Sequence, residues 1–220
     1  NAGTIQNLSV EGQVVGSNYV GGVAGRNGGD MVGNQEMIEC HYAGSVCGDG
    51  YVGGVAGQSW GSGMTRCSNE GTITGGHSVG GVAGSERGST ITNCYNTGVV
   101  TGNLDSERAG AIGGVLGHTD YGLITDCYNQ GAVVGIREVG GVVGERVFCE
   151  MVGCYNVGTV SGRENVGGVM GNGWGYEVIN CYNHGTVSGD KNVGGVTGCN
   201  DATMDLIGCY NIGTVSGKEN

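Results

Sequence analysis

The side chains in this sequence that could do chemistry are ten cysteines, four histidines, ten tyrosines and twenty carboxylates among 220 residues. Their spacing decides which chemistry is open. His118 lies close to Asp120, and Asp105 lies close to Glu107. Carboxylates on neighbouring turns of a chain can hydrolyse glycosidic bonds. The remaining acids are scattered, so no catalytic residue is assigned and the chain is read as a non-enzyme. No Cys-x-x-Cys pair occurs, and His41, His77, His118 and His184 share no ligand spacing. No metal site and no cofactor is therefore expected. Gly-x-Gly fragments are frequent, but none opens a helical pattern, which argues against dinucleotide binding. The Gly-Gly-x-Gly-x-Asp calcium repeat is also missing.

What could position such residues follows from composition and period. The chain has 52 glycines, no proline and a net charge of −11. Collagen is excluded by the missing proline and the missing triplet period. An acidic chain repels phosphate backbones, so nucleic acid is a poor partner. No basic amphipathic stretch and no long apolar run points to a membrane.

Two words recur. Val-Gly-Gly-Val-x-Gly has its first glycine at Gly21, Gly53, Gly80, Gly113, Gly140, Gly167 and Gly194. Cys-Tyr-Asn-x-Gly-x-Val-x-Gly, in its fullest form, has its cysteine at Cys40, Cys67, Cys94, Cys127, Cys154, Cys181 and Cys209. A degenerate copy begins at Leu8. The common gap is 27 residues, with about five extra in 26–37 and about six in 103–111. The pieces between glycines are short and rich in β-branched residues, which favours strands over helices. The expected fold is all-β: a parallel β-solenoid of seven to eight coils of about 27 residues, forming a single repeat domain over 1–220. A right-handed β-helix follows the preference of parallel crossovers. Glycines are expected to supply the positive φ of its corners.

Stacking turns each position of the coil into a ladder. Val100, Val133 and Val160 belong to one core ladder that begins at Val14, Val139 and Val166 to another that begins at Val20, and Val142 and Val169 to a third that begins at Val23. Each fully buried side chain contributes about 1.5–3 kcal/mol. The seven repeat cysteines are read as a fourth core ladder, because in-register side chains point in parallel and suit a disulfide poorly. Cys47, Cys149 and Cys199 lie outside it. Strand alternation then points Tyr95, Tyr128, Tyr155, Tyr182 and Tyr210 outward, with His41 and Ser68 in their place in the early copies. Those tyrosines either protect one face by stacking or offer an aromatic strip to a sugar or a protein partner. The inverse arrangement, tyrosine inside and cysteine outside, is the alternative. The following asparagines (Asn69 to Asn211) suit corners and can bond from rung to rung. Charges alternate in sign along two columns: Arg137, Glu164, Lys191 and Glu219, and Arg163, Asp190 and Lys218. Such alternation fixes register. Thr/Ser pairs such as Thr159/Ser161 could resemble an ice-binding array, but the series is broken at Ala132/Val134.

Gly54-Val55-Ala56-Gly57 and its siblings at Gly22, Gly81 and Gly114, followed by words such as Cys94-Tyr95-Asn96-Thr97-Gly98, resemble the GLUG-motif repeats of bacterial surface proteins. The resemblance covers nearly the whole chain. It implies a piece of a large bacterial secreted or cell-surface protein. Such repeats are adhesin-like, and they also form non-catalytic regions of some immunoglobulin A-cleaving metallopeptidases. No His-Glu-x-x-His occurs here, so that protease centre is not carried. Three functions follow: an adhesin-like module binding a host protein or glycan through the tyrosine face or an insertion, a passive stalk, and, last, a solenoid carbohydrate-active enzyme. Both ends fall within the repeat, so open ends and end-to-end self-association of the chain are also expected.

Overall fold

The computed structural model describes residues 3–29, 35–106, 109–200 and 203–218. It is a parallel β-solenoid. Glu164–Gly167 pairs in parallel with Arg137–Gly140 on one side and Lys191–Gly194 on the other, one coil away in each direction. One coil shows the path. From Gly140-Gly141 the chain enters the strand Val143–Val147, turns at Phe148, and runs through Glu150–Val152. It turns again at Gly153, passes Tyr155–Asn156 and Val160–Ser161, and returns through Glu164–Gly167, which bends a third time at Asn165. Strands equivalent to Val143–Val147 stack into a seven-stranded sheet running from Ala24–Gly28 to Thr197–Asn200.

The valine ladders and the cysteine ladder are core, as the pattern requires. Val133, Val139, Val142 and their equivalents one coil away are buried, and so are Cys67, Cys94, Cys127, Cys154 and Cys181. Cysteine thus faces in and tyrosine out, and all ten cysteines are free. Each ladder thiol donates to a carbonyl of the preceding coil, as Cys67 Sγ does to Met37 O at 3.3 Å. Burial pushes the Cys127 thiol far above its ordinary value. Burial also raises Cys149, to about 11.

The asparagines form the most regular ladder. Asn96 Nδ2 donates to Asn129 Oδ1 at 2.8 Å, and Asn129 and Asn156 repeat the bond to the next coil at the same distance. The second proton of Asn156 goes to Gly158 O at 2.9 Å, and Asn156 Oδ1 accepts Gly158 N–H at 3.2 Å. Every amide atom is thereby satisfied at zero exposure. The ladder ends at Tyr42, whose hydroxyl takes over by donating to Gly12 O at 2.7 Å.

The glycines do something other than expected. None of the Val-Gly-Gly-Val glycines has positive φ. They are small because the chain approaches too closely for a side chain: a Cβ on Gly141 would stand 2.0 Å from Gly168 O and 2.4 Å from Asn156 Cγ. The two repeated words therefore meet inside the coil, one supplying the amide and the other the gap that holds it. Positive φ falls instead on three other columns. One holds Ser78, Ala111, Glu138, Asn165 and Asn192 at 50–59°. A second precedes the cysteines and holds Arg66, Asn93, Asp126 and Asn180 at 53–54°. The third, after the seven-stranded sheet, uses Gly61, Gly88 and Gly175 but also Tyr121 and Phe148.

Charge alternation sets register on the surface. Arg137 Nε lies 3.5 Å and Lys191 Nζ 3.1 Å from the Glu164 carboxylate, and Lys218 Nζ lies 2.7 Å from Asp190. The hydrogen bond from Lys191 holds Glu164 below the usual carboxylate range. Glu219, the next member of its column, lies outside the described residues. The extra residues fall where the gaps place them: between Gly28, which pairs with Trp60, and Glu36, which pairs with Gly63, and between Gly102 and Gly110.

Asn156→Asp removes both amide donors and strands Asn183 Oδ1 and Gly158 O, so it should destabilise the chain by about 3 kcal/mol or more. Urea unfolding of the variant against the parent measures this. In the native state, a thiol reagent should label exposed Cys47 first and the half-buried Cys199 and Cys209 more slowly, leaving seven thiols unreactive until denaturant is added.

Candidate functional site

Five tyrosines project from the outer side of the cysteine strand in an unbroken stack. Ring centroids from Tyr95 to Tyr210 are 5.0, 4.9, 4.9 and 5.1 Å apart, and neighbouring planes deviate by 7° or less. The backbone register makes this arrangement: Tyr95 pairs with Tyr128, Tyr128 with Tyr155, Tyr155 with Tyr182, and Tyr182 with Tyr210. Tyr95 through Tyr182 are half-buried and Tyr210 is exposed. Each internal ring lies between two others, so its faces are spent on its neighbours. What the row offers outward is ring edges and phenol hydroxyls. Burial pushes the Tyr128 and Tyr182 phenols up, and the neighbouring phenols add to it, which favours the neutral form of both hydroxyls.

At the Tyr95 end the stack stops because Ser68 and His41 occupy the next two rungs, joined by a 2.7 Å contact between His41 Nδ1 and Ser68 Oγ. A groove of about 480 Å³, lined by Tyr95, His41 and Tyr42, opens there. At the other end His184 leans on Tyr182 and Tyr210, at 4.8 and 5.9 Å between centroids.

The second insertion makes its own relief. Leu104, 49% exposed, stands as a ridge between a groove of about 580 Å³ lined by Cys47, Thr74, His77 and Thr101 and a smaller one of about 210 Å³ lined by Ile136 and Arg163. Asp105 is exposed in this segment, while Glu107 lies outside the described residues. Residues 30–34 of the first insertion also lie outside them.

His118 and Asp120 come together on one strand, and the next coil adds Glu145. His118 Nδ1 lies 2.9 Å from Glu145 Oε2, and Nε2 lies 3.3 Å from Asp120 Oδ1. Burial alone would lower the His118 pKa, but the bond to Glu145 and the charges of Glu145 and Asp120 together hold it above its ordinary value. Nearby Glu138 is pushed up by burial and by Glu145. The carboxylates on adjacent coils are therefore shared through one imidazolium. No group of three or more His, Cys, Asp or Glu side chains takes a metal-binding arrangement among the described residues.

Two features escaped the sequence reading. An interior polar column runs through Ser59, Glu86, Thr119 and Arg146, all fully buried. Thr119 Oγ1 donates to Glu86 Oε2 at 2.6 Å, which leaves Cys149 to donate its proton to Thr119 Oγ1 across 3.3 Å. Burial pushes the Glu86 carboxyl up, while hydrogen bonds from Ser89 and Thr119 oppose it. Arg146 donates to the Tyr176 carbonyl at 2.8 Å. A second aromatic group, Tyr121, Phe148 and Tyr176, sits at a corner of the coil, well exposed. Its sequence signal was Tyr121 and Phe148 standing where sibling coils carry Gly61, Gly88 and Gly175.

Comparison with known proteins follows the same lines. Residues 48–74 and 108–134 match the GLUG motif. Over its whole length the chain superposes on the crystal structure of a "putative immunoglobulin A1 protease" from Bacteroides ovatus, with a TM-score of 0.54 and 18% identity. It spans 61% of that protein's chain. This likeness bears on the fold. No curated protein sequence matches the chain.

The raised His118 pKa makes a pH prediction. The imidazolium's stabilisation should be complete below about pH 6.5 and lost as pH rises through the higher folded pKa. NMR titration of the His118 ring, alongside thermal midpoints across this range, should show a slope that Glu145→Gln reduces. Two stretches of the solenoid, 48–74 and 108–134, are GLUG motifs, each 27 residues long and so one coil in length.

Proposed function

We propose that this chain is a non-catalytic, adhesin-like module of a bacterial secreted or cell-surface protein. In this reading the row Tyr95, Tyr128, Tyr155, Tyr182 and Tyr210 contacts a host protein or glycan. The observation that carries it is the row itself: five stacked rings with near-parallel planes on one face of a rigid scaffold. Stacking fixes the side chains before contact, so little rotamer freedom remains to be lost on binding. Phenol edges and hydroxyls at a constant spacing of about 5 Å suit a partner with its own repeated hydrogen-bonding groups. The surface setting rests on the GLUG motif and on the longer Bacteroides ovatus neighbour, 61% of which this chain spans.

The non-catalytic reading is supported by His118, which bridges the carboxylates of Asp120 and Glu145 from adjacent coils and so engages both in ion pairs. A passive stalk is the second reading, favoured by the continuous asparagine ladder. That ladder stiffens the coil stack whether or not its surface binds anything.

The test is a glycan and host-protein array probed with the folded chain and with the Tyr128→Ala/Tyr155→Ala variant. The expected outcome is a hit that the variant loses while keeping its far-UV circular dichroism. The two substitutions remove the rings of three stacked pairs, each worth about 0.5–1.5 kcal/mol, and leave the core ladders intact. Silence of the parent across both arrays would favour the stalk.

A further inference from the structure

The corner formed by Tyr121, Phe148 and Tyr176 is built against the interest of the fold. Tyr121 and Phe148 hold φ of 53° and 47° at a position where Gly61, Gly88 and Gly175 stand in other coils. Bulky residues are rarely found in that conformation, which is sterically unfavourable for them. The side chains do not recover this by burial, since Tyr121 is 54%, Phe148 42% and Tyr176 59% exposed. Their centroids follow one another at 5.7 and 6.2 Å, the last pair edge to face. The corner is firmly held from within, because Arg146 bonds the Tyr176 carbonyl.

The charges beside it break the rule kept elsewhere. In the columns of Glu164 and Asp190, acid is stacked on base. Next to the aromatic corner, Glu150 precedes Met151, Glu177 precedes Val178 and Asp205 precedes Leu206, and these three following residues are in register. Three exposed acids are thus stacked on successive coils, and no ion pair reaches them among the described residues. At the other aromatic corners the chain supplies its own cation: Arg26 lies 5.0 Å over the Tyr19 ring and Arg87 5.5 Å over the Trp60 ring. Among the described residues no arginine lies over Tyr121, Phe148 or Tyr176 in this way.

We propose that this corner is a docking surface for an extended, arginine-bearing peptide segment of another protein. Guanidinium groups stack on aromatic rings and bond carboxylates in pairs, and they do both better than ammonium. Alternate side chains of an extended strand lie about 6.6 Å apart on one face, close to the ring spacing of 5.7–6.2 Å. Two arginines separated by one residue would then occupy adjacent rings, with Glu150 and Glu177 beside them. The surface is distinct from the Tyr95–Tyr210 row, and its success or failure leaves the reading of that row untouched.

The test is fluorescence anisotropy of a labelled peptide of four Arg-Gly repeats against the intact chain at about 0.15 M salt, where diffuse attraction is screened. Saturable binding is expected, and the same peptide with citrulline in place of arginine should not bind. Phe148→Gly should weaken binding at least about tenfold while keeping or raising the thermal midpoint, since glycine is what sibling coils carry there. Glu150→Gln/Glu177→Gln should weaken it comparably, and this surface pair keeps the test valid if Phe148→Gly folds badly. Three results would overturn the proposal: no binding by the parent, equal weakening by the distant pair Glu11→Gln/Glu70→Gln, or binding that survives both corner variants and is lost in Tyr128→Ala/Tyr155→Ala.

Discussion

The hydrogen bond from each asparagine amide to the next governs this structure. An amide buried at zero exposure is tolerable only when both protons and the oxygen are matched. Asn156 achieves this with Asn183, Gly158 and Asn129, so each amide depends on the coil above and the coil below. A slip by one residue on any coil would leave buried donors unpaired, and the ladder therefore enforces the 27-residue period more strictly than apolar burial could. The space for the amide comes from Gly141 across the coil, where a Cβ would collide with Asn156. The pairing of the two repeated words is a steric consequence of one bond.

Much of this was legible in the residues. The period, the parallel stacking, the valine and cysteine ladders and the outward tyrosines follow from alternation and from which residue type recurs at which place. The role of the double glycine was not. A glycine repeated at a fixed position reads as a corner, whereas Gly140 and Gly141 are crowded rather than bent. Real corners mix Ser78, Ala111, Glu138 and Asp126 with Asn93, Asn165, Asn180 and Asn192, so only the asparagines hint at positive φ and neither column keeps one residue type. They are held there because the rungs on either side impose their φ, an example of tertiary context overriding local preference. The interior column of Glu86, Thr119 and Arg146 was illegible for a similar reason. Ionisable side chains at variable positions read as surface until a coil closes around them.

The insertions were legible as positions and not as shapes. Register places the six extra residues between Gly102 and Gly110, as the gap of 33 requires. That Leu104 becomes a ridge dividing two grooves follows from side-chain placement on coils 27 and 33 residues away. An inserted segment on a solenoid cannot disturb the ladders beneath it, because every ladder bond lies between coils. It projects outward, and variation there alters the surface at little cost to the core.

The same separation explains why a stable rod can carry unlike surfaces. Stacking makes each outward column a row of neighbours at one rung spacing, so similar residues combine and opposite charges compensate. In the Tyr95–Tyr210 row, combination turns ring faces inward along the axis and leaves edges and hydroxyls outside. At Tyr121, Phe148 and Tyr176 the corner geometry splays the last ring to 66°, so one face escapes its neighbour. A stacked row and a splayed corner therefore offer different chemistry from the same residue types: the first an ordered line of hydrogen-bonding groups, the second a π-face that a cation can reach. The splay falls at Tyr176, which stands one position after Gly175 and so outside the column shared by Tyr121 and Phe148. On a scaffold whose core repeats so strictly, local departures from the repeat are where selective contacts can be made.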